Sequence, residues 1–540
     1  MQEQLGLGFG PASVSGCAPR EEVKVKVMRP LLQEISTAHS PETLVGALNG
    51  QPGVLLLRSG FFDSPQARYS FVAARPFLLF RSFGSRCEIE RVDDSGPASL
   101  GIQFGNPWHV LDQLMSQYEL LDHIDLPFPL GGCFGYWGYD LKNFVEPKLL
   151  RRAFNDLELP DCHVGFYDSL VVFDHRLSKT WIVSTGLRTD CSRSQARAIR
   201  TLEFWQAKLE AEERPPARST VIPVARFRER PVPALRIPRA EQEFDERDMV
   251  SNLSRPELLS RIERAQAYIR SGDIYQVNLS QRLAAPCPFS GWQLFQRLSA
   301  VSPAPFSAFL DCGDFQVASS SPELFLRLSG SHIQTRPIKG TRPRSSDPTR
   351  DAQLSYELQT SAKEMAELVM ITDLLRNDLG RVCAFGSVQV PELVKLERFP
   401  QVQHLVSTVE GRLRADITHF TAFASCFPGG SITGAPKIRA MEIIDELEPV
   451  SRGPYTGALG YLGFNRESQL SVIIRAAICR RQRAFFQVGA GIVADSIPEG
   501  EYTETLAKAA GFIAALRLPA QDEVPLEPSD PTIHPSRMAP

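Results

Sequence analysis

What this 540-residue chain lacks narrows it first. No two of its ten cysteines stand as Cys-x-x-Cys, so neither a zinc ribbon nor a dithiol redox motif can be read from them. Cys17, Cys87, Cys133, Cys162, Cys191, Cys287, Cys312, Cys383, Cys426 and Cys479 are spread singly, several within apolar runs, as buried free thiols are. No stretch reaches the roughly 18 consecutive apolar residues of a membrane-spanning helix. No sign of charge dominates. The 59 Lys+Arg against 62 Asp+Glu leave a net charge of -3, without the basic excess of a dedicated nucleic-acid binder. No basic start followed by a sustained apolar run opens the chain, so a secretory leader is not expected and a reducing cytoplasm is. No internal repeat marks a solenoid or propeller.

What is present is ordinary for a globular chain: 43% hydrophobic and 22% charged residues, enough to build a core without staples. Residues 1–24 are rich in Gly, Ser and Pro, and residues 519–540 in Pro and acid. Both read as disordered ends too poor in apolar residues to pack. Residues 214–246 carry Pro215, Pro216, Pro223, Pro231, Pro233 and Pro238 among many arginines, which excludes a regular helix or central strand. This linker or insertion separates an N-terminal domain, 25–213, from a C-terminal one, 247–518.

The apolar patterning predicts strands at 54–58, 69–73, 77–81, 169–173, 181–184 and 274–280. It predicts helices over 108–118, 193–213, 257–271 and 438–447. Gly131-Gly132 reads as a loop. Leu354, Leu358, Met365, Leu368, Val369, Leu375 and Leu379 recur at helical spacing and predict one long helix over 351–379.

Several strings in the C-terminal half carry more chemistry than a scaffold needs. In Thr335-Arg-Pro-Ile-Lys-Gly-Thr-Arg-Pro-Arg344, Lys339 is flanked by Arg336, Arg342 and Arg344. Neighbouring cations lower a lysine's pKa and raise its nucleophilic fraction, although a solvated basic turn would look the same. Glu364 and Glu367, and again Glu501 and Glu504, stand at i, i+3 on predicted helices. Each pair shares one face, and two such faces meeting would suit Mg²⁺. Solvated faces with internal salt bridges are the plainer alternative. Phe427-Pro-Gly-Gly-Ser-Ile-Thr-Gly-Ala-Pro-Lys437 places glycines and hydroxyls before a helix start, which suits an anion. It lacks the Gly-Lys-Ser/Thr order of a phosphate loop. Val488-Gly-Ala-Gly-Ile492 is a Gly-x-Gly inside a strand, without the third glycine of a dinucleotide fingerprint. His404 sits in an apolar strand, where a satisfied core histidine is the plain reading.

The order of these strings is more telling than any one of them. Gly272-Asp-Ile-Tyr-Gln-Val-Asn-Leu-Ser, Ser321-Pro-Glu, Pro337-Ile-Lys-Gly-Thr-Arg-Pro-Arg, Asp373-Leu-Leu-Arg-Asn-Asp-Leu-Gly-Arg, Pro428-Gly-Gly-Ser-Ile-Thr-Gly-Ala-Pro-Lys, Gly457-Ala-Leu-Gly-Tyr and Gly489-Ala-Gly-Ile-Val-Ala-Asp-Ser follow one another. This closely resembles the chorismate-utilising enzymes: component I of anthranilate synthase and of aminodeoxychorismate synthase, and the isochorismate and salicylate synthases. The resemblance is strong over about 250–515 and weaker over about 40–210. It implies an α+β fold of two antiparallel sheets with outer helices and the chorismate site between the sheets. It implies Mg²⁺ on Glu367 and Glu504, with Glu364 and Glu501 nearby through water. It places Arg475, Tyr461, Gly489, Gly491, Lys508, Gly340 and Thr341 around the substrate.

Within the family, Gln276 stands where water-adding members carry a lysine base, and an amide cannot deprotonate water. Lys339 stands where anthranilate synthases usually read Pro-Ile-Ala-Gly-Thr and is typical of aminodeoxychorismate synthases. The resemblance implies Lys339 as covalent nucleophile, Glu323 as general acid, and His404 and Ser431 in support. No nucleophile-elbow string surrounds a cysteine, so ammonia from a separate glutamine amidotransferase subunit is implied. The product would be 4-amino-4-deoxychorismate, on the way to 4-aminobenzoate and folate. Anthranilate synthase component I is the alternative, and an enzyme serving both pathways a second. A non-catalytic homologue is disfavoured, because Lys339 and the glutamate couplets are present. Arg58 stands where feedback-regulated anthranilate synthases have Glu, which puts an inhibitory tryptophan site in doubt.

Overall fold

A computed structural model describes residues 29–59, 67–92, 98–120, 126–211, 249–399 and 402–518. The expected disordered ends and the Pro/Arg-rich stretch lie outside these residues. Among the described residues, two 12-stranded sheets dominate, and their strand pairs are antiparallel. In the first, Leu31–Ile35, Lys179–Ser184, Ser169–Asp174, Tyr69–Ala73 and Leu55–Arg58 run edge to edge into Phe306–Asp311, Gln316–Ser321, Ala476–Arg480, Arg483–Ile492 and Gln276–Pro286. In the second, Ile338–Pro343, Val402–Arg412, His332–Arg336, Leu324–Ser329, Glu467–Val472 and Ala458–Gly463 continue into Gly132–Trp137, Cys162–Tyr167 and Leu78–Phe83.

Both sheets thus cross the sequence divide. Leu55–Arg58 pairs with Phe306–Asp311, and Gly132–Trp137 with Ala458–Gly463. The facing sides close on one apolar core. Leu55, Phe71, Leu310 and Val317 of the first sheet meet Phe80, Phe134, Leu326 and Tyr461 of the second. The helices Gln195–Glu210, Gly291–Val301 and Pro498–Arg517 cover the outer side of the first sheet through Trp205, Leu294 and Phe512. Central strands such as Gly132–Trp137, Cys162–Tyr167 and Ser169–Asp174 are buried along their whole length, as strands covered on both faces are.

Most predicted elements form within a few residues of their expected ends, but two do not form as read. Gly131-Gly132 is the entrance of a fully buried central strand rather than a loop. Gly135 lies directly opposite Gly460, and a Cβ on either would collide with the backbone of the next strand. These glycines allow close strand approach, which residue type alone reads as a turn. The long helix is two helices, Pro348–Gln359 and Ala362–Gly380. Ser361 caps the second by accepting from Glu364 N. The Ser-x-x-Glu spacing is a helix-start signal that an unbroken apolar period conceals. The break puts Glu364 in the first turn of its own helix, where a carboxylate is favoured by the exposed N–H groups.

Candidate active site

The strand Ile338–Pro343 lies beside Val402–Arg412, with Lys339 opposite Leu405, and then slips so that Thr341 faces His404. Gly340 is the slip. Its φ is +64°, and a Cβ there would come within 2.6 Å of Leu358 Cδ1. Such a bulge re-aims its neighbours. Lys339 Nζ comes to 3.9 Å from Glu367 Oε2, and its charge is felt at Glu323. Glu323 is buried. Burial pushes its pKa up to about 7, against the opposing pull of the Ser431 hydroxyl, Lys339 and the Ile338 N–H. A carboxyl so poised holds a proton at neutral pH and can give it up, as a general acid must.

His404 Nδ1 lies 2.9 Å from Thr341 Oγ1. Burial first, then the charge of Arg475, pushes the imidazole down to about 4, so the ring is neutral near pH 7. Arg475 adopts φ +52° at the start of Ala476–Arg480, is half-buried, and has no side-chain hydrogen bond or ion pair among the described residues. A guanidinium left without a counter-ion inside a protein is a receptor for a carboxylate.

The first-sheet wall is built from Gln276–Pro286 and Arg483–Ile492, which set Asn278 opposite Gly491 and Ser280 opposite Gly489. The Gln276 side chain covers Gly491. Asn278 Oδ1 and the Tyr455 hydroxyl crowd Gly489, at 2.6 and 2.9 Å from where a Cβ would stand. Gln276 Oε1 and Asn278 Oδ1 are buried without a hydrogen-bond partner among the described residues. An unmet buried acceptor costs about 1–3 kcal/mol, so two on one face of a strand mark a place built for a donor from outside. Lys508 Nζ donates to the Gly489 carbonyl at 2.7 Å and lies 2.8 Å from Glu504.

The glutamate couplets lie on Ala362–Gly380 and Pro498–Arg517 and sense each other. Burial raises the pKa of Glu367, opposed by Lys339 and Lys363 and assisted by Glu364 and Glu504. Burial likewise raises Glu501, whose Oε1 accepts from Ser496 Oγ at 2.6 Å. The donors are all carboxylate oxygens, the chemistry Mg²⁺ takes, and their repulsion is what a dication would relieve. They are not gathered as a closed cage. Among the described residues no three His, Cys, Asp or Glu side chains converge to hold a metal. Glu504 is turned onto Lys508, and Glu364 lies 3.6 Å from Arg342.

Two expectations fail on geometry. The arginines flanking Lys339 do not stand as free cations beside it. Arg336 pairs with Glu397 at 2.5 Å, Arg344 with Asp351 at 2.9 Å, and Arg342 faces Glu364. Tyr461 is not brought to the other site residues. Its ring packs on Phe71 and Phe134, 5.2 and 5.3 Å between centroids, beside Tyr69, Arg327 and Glu467 in a separate pocket. The tyrosine the fold does deliver is Tyr455, six residues earlier. Lys363 is a further group the sequence reading passed over. It acts on both Glu367 and Glu501, and its position beside Glu364 on the capped helix was the available signal.

A sequence profile described as chorismate binding enzyme matches residues 60–514. The anthranilate synthase component 1 of Acetivibrio thermocellus is 34% identical over 502 residues, 92% of this chain and 97% of that protein. The aminodeoxychorismate synthase component 1 of Escherichia coli (strain K12) is 38% identical over 463 residues, 85% and 92% of the two chains. The crystal structure of anthranilate synthase component I from Streptococcus pneumoniae TIGR4 superposes with a TM-score of 0.65 at 31% identity, covering 83% of this chain and 93% of that one.

Proposed function

The chain belongs to the chorismate binding enzymes, and from that premise we propose that it is the chorismate-aminating component of an aminodeoxychorismate synthase. The observation that carries the reading is Lys339, whose amine stands 3.9 Å from Glu367 and is felt at the protonatable Glu323. The Lys339 amine attacks C2 of chorismate through its nitrogen lone pair. The ring double bonds shift, and the C4–O bond breaks as Glu323 gives its proton to the leaving hydroxyl, which departs as water. The lysine nitrogen then returns a proton to the Glu323 carboxylate. Ammonia then attacks C4, the double bonds shift back, and the C2–N bond breaks as Glu323 protonates the departing lysine nitrogen; the new ammonium group at C4 gives its extra proton back to Glu323. Two displacements retain the configuration at C4, and each is easier than one direct substitution.

Arg475 holds one carboxylate of the substrate as a two-pronged clamp, and neutral His404 with Thr341 lines the leaving-group side. Glu367 and Glu504, supported by Glu364 and Glu501, would hold Mg²⁺, which when bound supplies a positive charge for the ring carboxylate. Gln276 supports amination over hydration, because an amide accepts N–H donors and cannot take a proton from water. Ammonia comes from a separate glutaminase, a reading supported by the words "component 1" in the relatives' names.

The test is the product made from chorismate, Mg²⁺ and an ammonium salt by the purified chain. The expected product is 4-amino-4-deoxychorismate, with no turnover on glutamine alone. Anthranilate as sole product would overturn the reading. That second outcome is the one favoured by the long match to the Acetivibrio thermocellus protein.

A further inference from the structure

Arg452 follows the helix Lys437–Leu447, and 3% of its surface reaches solvent. Its Nε and Nη2 donate to the two oxygens of Glu448, each at 2.8 Å. The rest of the guanidinium reaches outward. It donates to the Ile432 carbonyl at 3.1 Å, the Thr456 hydroxyl at 3.2 Å and the Asn278 carbonyl at 2.7 Å. Glu448 Oε1 also accepts from the Ser280 N–H at 2.8 Å and the Ser280 hydroxyl at 2.9 Å. Burial works against the charge of Arg452, and Glu448 more than offsets it, so its pKa is raised.

Each of those outward bonds ends beside a group that faces the site. Ile432 follows Ser431, the hydroxyl on Glu323. Asn278 and Ser280 continue the strand that Gln276 begins. Thr456 follows Tyr455, whose hydroxyl crowds Gly489 and whose ring centroid lies 5.7 Å from the guanidinium.

Thr456 supplies an independent sign. It is β-branched and sits at φ +59°, a conformation that costs free energy and persists only where the surroundings hold it. The holders are Ile473, whose carbonyl accepts from Thr456 N at 2.7 Å, and Arg452. Stability alone gives little reason to keep such a pair, since well-packed apolar replacements of buried ion pairs are commonly neutral or stabilising.

We propose that Arg452, locked by Glu448, is a positioning residue of the active site. It sets Tyr455 and the Ser431 loop in register with the strand that carries Gln276. The proposal rests on the reading of this site as the place of chorismate chemistry, and not on which nucleophile attacks.

The decisive variant is Arg452→Met/Glu448→Met, compared with Arg452→Met alone. The single variant strands a buried carboxylate and should melt well below wild type. The double variant should regain the wild-type melting temperature within a few degrees while its kcat stays down by about tenfold to a hundredfold, the scale of a 1 Å misplacement. Arg452→Lys should recover little, since a point ammonium cannot make the planar fork. A folded double variant with kcat within about threefold of wild type would overturn the proposal, because a merely structural pair would return activity together with stability.

Thr456→Gly keeps the test open if the double variant does not fold. Glycine takes φ +59° without strain, so the melting temperature should hold or rise while KM for chorismate climbs about tenfold. Unchanged kinetic constants in a folded Thr456→Gly protein would also overturn it. Product analysis of the wild type in parallel separates the two readings. Anthranilate as product would sink the proposed nucleophile chemistry and leave this positioning role to be judged by the variants.

Discussion

The space between the two sheets has two kinds of ground. On the side of the proposed site, Gln276 Oε1, Asn278 Oδ1 and the Arg475 guanidinium have no partner among the described residues. Around Tyr461 the rings pack on one another, with Phe71 against Tyr461, Tyr69 against Phe128 and Phe134 on Tyr461, beside a small pocket that Arg327 and Glu467 also line. Both lie between the same sheets. The difference is that one region carries unmet polar groups, while the other spends its aromatic surface on itself. Unfinished interactions, not the fold, mark where a ligand belongs.

The sharpest way to break that contrast is Lys339→Ala. If the lysine is the covalent nucleophile, amination at C4 should fall on the order of 10³-fold or more, with residual amination moving toward C2. In wild-type protein given chorismate without ammonia, mass spectrometry should find an adduct on the peptide carrying Lys339. Near wild-type C4 amination by the variant would remove the lysine from that role.

Glu323→Gln comes next, with a loss of about a hundredfold in kcat. Its pH dependence carries the sign. The acid works protonated, and its pKa is raised to about 7, so kcat should fall about tenfold per unit as pH rises beyond that value. A wild-type profile flat from pH 6 to about 9 would speak against Glu323 as the acid. The same raised value means that the folded chain holds a proton the unfolded chain releases. Stability from this group is therefore full below about pH 4.5 and lost as pH rises through about 7.

Glu367→Gln and Glu504→Gln test the facing helices. Each should raise the Mg²⁺ concentration for half-maximal turnover by about tenfold to a hundredfold, seen by titrating the metal at saturating chorismate. Unchanged Mg²⁺ dependence in either variant takes that residue out of the metal's reach. The smallest effect belongs to the other region. Tyr461→Phe should leave kcat and KM within about twofold of wild type, as a hydroxyl outside the site allows. A tenfold rise in KM for chorismate would erase the distinction drawn here.

How much of this was legible in the sequence follows the reach of each signal. Strands such as Tyr69–Ala73 and the helix Pro107–Tyr118 are written in local periodicity and appear where expected. The order of the motifs brought Lys339, Glu323, Ser431, Gln276 and the paired glutamates to notice. What failed depended on distant partners. The arginines around Lys339 looked free because Glu397, which answers Arg336, lies 61 residues away. Tyr461 was named and Tyr455 was not, although both stand in one Gly-rich run. Tyr455, whose hydroxyl lies beside Gly489, precedes a left-handed Thr456, and no periodicity reports a backbone reversal at a β-branched residue. The helix break at Ser361 was legible through its capping spacing, and was hidden only by apolar residues that kept the period across it.

The sharing of both sheets across the sequence divide has a consequence for the chain as a covalent object. Leu55–Arg58 is zipped to Phe306–Asp311, and Gly132–Trp137 to Ala458–Gly463, with one apolar core beneath both seams. The halves are therefore united by these seams and not only by the stretch of peptide that joins them in sequence. Two polypeptides, one ending and the other beginning within that stretch, should find each other when expressed from separate genes and purify as a stoichiometric pair. Neither half alone should be soluble, for each would carry two raw sheet edges into water.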